Sequence, residues 1–151
     1  MSARKLGGIA AVAGMALIAV AALAQQAPKQ DPKMEHSAAM QECAKICSDS
    51  QRACDSGATH CAKLLSEGKK EHLAAMMACQ DSATISSACA EICARGGPFS
   101  AMIAEVCAKA CADCATACEK VTDDEHMKEC AEECRRCEKS CKTMATEMGR
   151  R

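Results

Sequence analysis

The residues of this sequence with chemistry to offer are its 15 cysteines, and their spacing narrows what that chemistry is. Cys107, Cys111, Cys114 and Cys118 step four, three, four. Cys130, Cys134, Cys137 and Cys141 repeat the same steps 23 residues later. Cys43, Cys47, Cys54 and Cys61 lie upstream, with Cys79, Cys89 and Cys93 between. Thiolates three or four residues apart on a helix can grip one metal ion together or reach across to a neighbouring helix, and one sulfur can bridge two ions. Soft thiolates select Cu(I), with zinc and iron–sulfur clusters as competitors. A structural zinc site closes with four ligands. Cys111-x-x-Cys114 and Cys134-x-x-Cys137 could supply one such site and would leave eleven cysteines unexplained. Cu(I) is satisfied by two or three sulfurs, so this many thiols suit a row of ions.

Other cysteine chemistries fit less well. Two cysteines at i, i+4 within a continuous helix do not reach the Cβ separation of ~3.8 Å that a disulfide requires, which disfavours bridges such as Cys43/Cys47 or Cys107/Cys111. The count is odd, and the cysteines sit inside helical patterns rather than stapling loops. Disulfides between helices stay open, and a structural or redox-buffering thiol protein is the alternative reading. Cys111-Ala-Asp-Cys114 is followed by Ala115 and Cys134-Arg-Arg-Cys137 by Glu138, so neither is a haem-attachment motif, and neither lies in a βαβ pattern. No catalytic triad, nucleotide loop or carboxylate di-iron motif is present. The sequence reads as a binding protein, not an enzyme.

Helices must position these thiols. Stop and start signals place a first helix from about Glu35 to Ser66, ended by Gly68, and a second from about Lys70 to Ala94, ended by Gly96-Gly97-Pro98. A third runs from Phe99 or Ser100 to about Lys120, and a fourth from Asp123 or Asp124 to about Glu147. Four helices of similar length joined by short connections give an all-α, antiparallel, up-down four-helix bundle over residues 35–148. Positions spaced 4-3-4 are the a and d positions of a helical seam, so these helices aim columns of sulfur at the bundle axis. The first helix shows two such rows: Met40, Cys47, Cys54 and Cys61, and His36, Cys43, Ser50, Gly57 and Leu64. The second has His72, Cys79, Ser86 and Cys93 in one row, with Cys89 beside Cys93. Gly57 costs a helix roughly 1 kcal/mol relative to Ala and reads as a kink or a break.

Composition agrees that cysteine is the core. Beyond residue 24 there are nine Leu, Ile or Val residues and one aromatic, Phe99, too few for an ordinary interior. Ala, Glu, Lys and Met favour helices, and a protonated thiol packs as a small hydrophobe. Histidine and methionine form a weaker ligand set. An antiparallel bundle brings His60, His72, Met76, Met77, His126 and Met127 to one end, a candidate mouth through which metal passes. His36, Met40, Met102, Met144 and Met148 fall at the other. For any single Met, gap-filling at a bundle end is the plainer explanation. His126, after Asp123-Asp124-Glu125, can also be a solvated residue.

Residues 1–24 read as a secretory leader: Arg4 and Lys5, an apolar run from Leu6 to Ala24, and the closing Ala22-Leu23-Ala24. The expected mature protein is exported, periplasmic in a bacterium. An uncleaved leader would make it membrane-anchored instead. No Arg-Arg pair stands near the start, which favours the general secretion route over the twin-arginine route. Residues 25–34, with Pro28 and Pro32, form a linker. Losing Arg4 and Lys5 from 19 basic residues leaves 17 against 20 acidic ones, a net charge near minus three. The basic residues are interleaved with acidic ones, as in Glu132-Glu133-Cys134-Arg135-Arg136, so no nucleic-acid partner is expected.

Three stretches resemble the bacterial copper storage proteins: His60-Cys61-Ala62-Lys63-Leu64-Leu65, Val106-Cys107 through Cys118-Glu119-Lys120, and Glu129-Cys130 through Cys141-Lys142. The resemblance spans about Met40 to Ala145. It implies a four-helix bundle whose inward cysteines store several Cu(I) ions. It also implies a mouth near the first interhelix loop, here with His60, His72 and Met76, and with Met127 close by. Copper ions are then the expected partners, with a copper donor or acceptor protein and a homo-oligomer as further expectations. The sequence departs from exported members of that family in lacking a twin-arginine leader.

Overall fold

The structure, a computed structural model, describes residues 38–149. The expected leader (1–24), the linker (25–34) and His36 lie outside the described residues. Four helices make up the rest: α1 (Ala38–Ser66), α2 (Leu73–Ala94), α3 (Ser100–Glu119) and α4 (Glu125–Gly149). No strand occurs among the described residues. Each helix packs against two others, α1 on α2 and α4, and α3 on α2 and α4. Among the described residues no helix is long and apolar enough to cross a membrane.

The helix ends follow from local chemistry. Gly68 takes a positive φ of 91°, while the Lys69 N–H donates to the Leu64 carbonyl at 3.0 Å and the Gly68 N–H to that of Leu65 at 3.0 Å. This pair of bonds satisfies carbonyls that the last turn of α1 leaves free. Gly96 ends α2 in the same way, at φ 63°, with Gly97 N–H on Ile92 O and Gly96 N–H on Cys93 O, both at 3.0 Å. Asp124 caps α4, its Oδ1 accepting from the Met127 N–H at 3.2 Å. The second helix differs from expectation in its first turn: Lys70–His72 form a separate 3-10 turn before α2.

Of the two expectations at Gly57, a kink or a break, the break is excluded. α1 runs unbroken through it. A Cβ at this position would meet Cys130 Sγ at 3.1 Å, Cys79 Sγ at 3.3 Å and Met127 Cε at 3.3 Å. The missing side chain gives room to sulfur from α2 and α4, at the cost of helix propensity.

All fifteen cysteines are buried, thirteen of them with no exposed surface, whereas only Ile46 and Val121 of the nine Leu, Ile and Val residues are buried. The thiols therefore take the seam positions that Leu and Ile fill in an ordinary bundle. Alanines such as Ala75, Ala104, Ala108 and Ala115 fill the space between. The charged surface is laced by ion pairs, for example Arg135 with Glu119 at 2.9 Å and Arg136 with Asp49 at 3.1 Å.

Candidate metal centre

The thiols meet in four groups of four, each group with its sulfurs within 4.8 Å of one another. Cys43, Cys47, Cys89 and Cys141 form one group; Cys47, Cys107, Cys137 and Cys141 form the next. The two share Cys47 and Cys141. Farther along the axis, Cys54, Cys114, Cys130 and Cys134 form a third, and Cys79, Cys114, Cys118 and Cys130 a fourth. These share Cys114 and Cys130. Every group draws on at least three helices, because residues spaced 4-3-4 keep each helix's thiols on its inner face.

The sulfur separations suit metal binding. Cys43 and Cys47 each lie 3.5 Å from Cys141. Cys47 is 3.7 Å from Cys137, Cys79 is 3.6 Å from Cys114, and Cys107 is 3.9 Å from Cys137. With a metal–sulfur bond of about 2.3 Å, two sulfurs on one ion stand about 3.8 Å apart in tetrahedral geometry and about 4.0 Å apart in trigonal geometry. The column therefore needs only small side-chain adjustments to close on ions.

The same crowding couples the protons. Cys107 is drawn down by neighbouring thiols that donate to its sulfur, Cys111 foremost, and Cys54 likewise by Cys114. Cys47 and Cys114 are pushed up, chiefly through Cys107 and Cys118 respectively. The thiols of each group therefore titrate together rather than independently, while burial pushes Cys47 and Cys107 alike toward the protonated form.

Three thiols lie outside the four groups. Cys93 sits at one extreme, 3.9 Å from Cys89. Cys61 sits at the other, its Sγ donating to the Met127 thioether at 3.3 Å, with burial pushing its pKa up to about 11. Cys111 lies between, ringed by the hydroxyls of Ser50 at 3.7 Å, Ser82 at 3.6 Å and Ser86 at 3.7 Å.

Beyond Cys61 the bundle end carries a different ligand set. His60 Nε2 and His72 Nε2 both face Asp124 Oδ2, at 2.8 Å and 3.1 Å. His126 stacks on His60 with ring centroids 4.5 Å apart and meets Ser56 Oγ at 3.2 Å. It is thus part of the cluster rather than a free surface residue. Burial raises the Asp124 carboxyl, but bonds from His60 and His72 outweigh it and hold the pKa at about 2. His72 is buried, and its Nδ1 has no hydrogen-bond partner. A histidine that gives one ring N–H to a carboxylate and leaves the other nitrogen without a hydrogen bond, here 3.8 Å from Glu71 Oε1, is arranged as metal-ligating histidines are. His60, His72 and Asp124 together form a further possible metal-holding group.

The sequence-derived candidates are therefore placed as follows. The structure gathers twelve thiols into the four groups and leaves Cys61, Cys93 and Cys111 beside them. His60 and His72 come together, Met127 is buried against Cys61, and Met76 is partly buried against the core. Met77 is exposed. At the opposite end Met40 and Met144 are buried and Met148 partly so, while Met102 is 63% exposed. Asp124 was missed as a functional residue. Its signal was the Asp123-Asp124 pair ahead of a helix start, which reads as a cap and nothing more. Ser82 was missed as well, since no seam row had included it.

The chain matches the family described as copper storage protein over residues 29–146. It belongs to the copper storage protein family. The solved structure of the Cu(I)-bound copper storage protein BsCsp3 is similar, with a TM-score of 0.64 and 30% identity, over 71% of this chain and 98% of that one. The uncharacterized cysteine-rich protein YhjQ of Bacillus subtilis (strain 168) is 32% identical over 111 residues, 68% of this chain and 93% of its own length. The family is one of storage proteins rather than of enzymes.

Proposed function

We propose that this protein stores several Cu(I) ions per chain on its inward thiolates. The observation that carries this reading is the sharing of Cys47 and Cys141 by one pair of four-sulfur groups and of Cys114 and Cys130 by the other. Shared sulfurs bridge ions, and buried bridging thiolates are soft, dry sites that favour Cu(I) over harder cations. The family match and the Cu(I)-bound neighbour support the same choice of metal. Each bound thiolate gives up its proton, so loading releases protons and weakens as pH falls.

In this reading the helices run up and down antiparallel. The pairings Cys43–Cys141, Cys54–Cys134 and Cys61–Met127 support it, since α4 descends as α1 ascends. So do Cys79–Cys118 and Ser86–Cys107 between α2 and α3. Cu(I) arrives at the His60, His72 and Asp124 end, where exchangeable nitrogen and oxygen ligands precede Cys61 and Met127. The leader-like residues 1–24 support export, with the store acting outside the cytoplasm and exchanging copper with a donor or acceptor protein there.

An anaerobic titration of reduced apoprotein tests the central claim. Uptake of several Cu(I) ions per chain, resistant to competition by Zn(II), is the expected result; uptake of one ion or none overturns it.

A further inference from the structure

The four-sulfur groups do not form one continuous column. The first two together use Cys43, Cys47, Cys89, Cys107, Cys137 and Cys141; the other two use Cys54, Cys79, Cys114, Cys118, Cys130 and Cys134. No thiol is common to both sets. Between them, the inward positions of α1 and α2 carry hydroxyls in place of thiols: Ser50, Ser82 and Ser86 have no exposed surface. Their hydroxyls face sulfur, Ser50 and Ser82 on Cys111 and Ser86 on both Cys111 and Cys107. Four thiols at this level would continue the sulfur path. One thiol and three hydroxyls interrupt it.

A neutral hydroxyl is a hard and weak ligand for Cu(I), so these serines offer an ion no stable resting place. They do offer O–H groups to a Cys111 thiolate, and hydrogen bonds to a charged acceptor are among the stronger ones. Cys111 also interacts with Cys107 and Cys137 on one side and with Cys134 on the other. It is the thiol within reach of both sets.

We propose, resting on the copper-storage reading, that the interior is two six-thiol stores in series, joined through a serine-ringed relay at Cys111. The set containing Cys54 and Cys118 lies toward the His60, His72 and Asp124 end and exchanges copper with the outside. The set containing Cys43 and Cys141 is a reserve that fills and empties through the first. Transfer is a ligand exchange without redox change. A Cu–S bond to Cys134 breaks as one to Cys111 forms, and the Cys111 thiol proton passes to the sulfur released. The step then repeats toward Cys107 or Cys137.

Copper removal kinetics test this on the full chain. Protein loaded anaerobically with Cu(I) is mixed with an excess of a high-affinity chromogenic Cu(I) chelator. Release is expected in two phases of similar amplitude. Replacing the waist with sulfur, in Ser50→Cys/Ser82→Cys/Ser86→Cys, is expected to abolish the slow phase as a separate step. Ser82→Ala, which removes one hydroxyl from the ring and adds no ligand, is expected to keep the slow phase separate but change its rate. As an independent check that leaves the waist intact, Cys137→Val is expected to cut the slow amplitude and spare the fast one, whereas Cys118→Val does the reverse. Single-phase release from loaded wild-type protein overturns the two-store arrangement while leaving storage itself standing. A slow phase unchanged in the triple variant, or amplitudes indifferent to which set is cut, overturns it too. Failure of the wild-type protein to load copper at all is a separate result that defeats the storage reading beneath it.

Discussion

The two ends of the bundle are built from opposite materials. At one, His60, His72, His126 and Asp124 surround the approach to Cys61 and Met127, and a carboxylate is held charged by two imidazoles. At the other, Met40, Met144, Ala104 and Cys93 close the interior with apolar and sulfur-bearing side chains, and among the described residues no titratable nitrogen or carboxylate is buried there. The first end offers nitrogen and carboxylate ligands; among the described residues the second offers only thioether and thiol sulfur. In the storage reading proposed above, this difference between the ends gives a column of like thiols a direction that the thiols themselves do not.

Proton linkage gives the largest test of this contrast. Burial, with charge from Cys118 and Asp124, raises the Cys61 pKa from 9.0 to about 11. The folded apoprotein then holds this proton more tightly than the unfolded chain does between those values. Stability from this group is complete below pH 9 and is lost as pH rises toward 11, by about 3 kcal/mol at most. Denaturant unfolding of reduced apoprotein at pH 8 and pH 11 measures the loss, and Cys61→Ala should remove this share of it. Copper-loaded protein should not show it, because the bound thiolate has already surrendered its proton. An apoprotein equally stable at both pH values would show the mouth to be wetter than the structure describes.

Asp124→Asn attacks the same end from its rim. The carboxylate caps α4 through Oδ1 and aligns two histidines through Oδ2, and an amide can present only one oxygen to the three donors. Loss of such a supporting carboxylate typically costs ten- to a hundredfold, so Cu(I) uptake should slow by roughly tenfold or more under stopped-flow mixing. The final stoichiometry should stay unchanged, because no column thiol is touched. A proportional fall in stoichiometry would make Asp124 a structural cap and no more.

Much of this was legible in the sequence, and the reasons differ by residue. The 4-3-4 spacing fixed which thiols face inward because helix geometry alone sets that face. The scarcity of Leu, Ile and Val made cysteine the core by elimination. Asp124 escaped notice because its role exists only where α1, the 3-10 turn and the α4 cap converge, contacts 52 and 64 residues apart in sequence. Ser82 and the division into two thiol sets escaped for the same reason: a seam row shows what one helix offers, not which levels meet across the axis. Gly57 does not break α1, and the sequence did not show why it is there, because its helix cost is local and its benefit, room for Cys79 and Cys130, is tertiary.

Gly57→Ala tests that benefit just inside the mouth. Ala gains about 1 kcal/mol of helix propensity, but its methyl presses on two sulfurs and the Met127 methyl at 3.1 to 3.3 Å. Overpacking a close-fitted core costs roughly 1–3 kcal/mol, so thermal unfolding should show a small net destabilisation of the apoprotein. Copper capacity should fall at the set containing Cys79 and Cys130, whose sulfurs have lost the space to move toward an ion. A variant more stable than wild type with full capacity would mean that the groove is looser than its distances indicate.

The smallest effect belongs to the sealed end. Met144 has 1% of its surface exposed and belongs, like Met40, to the buried core. Met144→Leu keeps volume and apolarity and removes the thioether, a swap that ordinarily costs less than about 1.5 kcal/mol. If that end only excludes water and ions, the rate and extent of Cu(I) uptake should both be unchanged, in the same stopped-flow experiment in which Asp124→Asn is slow. A slowing comparable with that of Asp124→Asn would mean that copper also passes at the methionine end, and the direction assigned to the column would be lost.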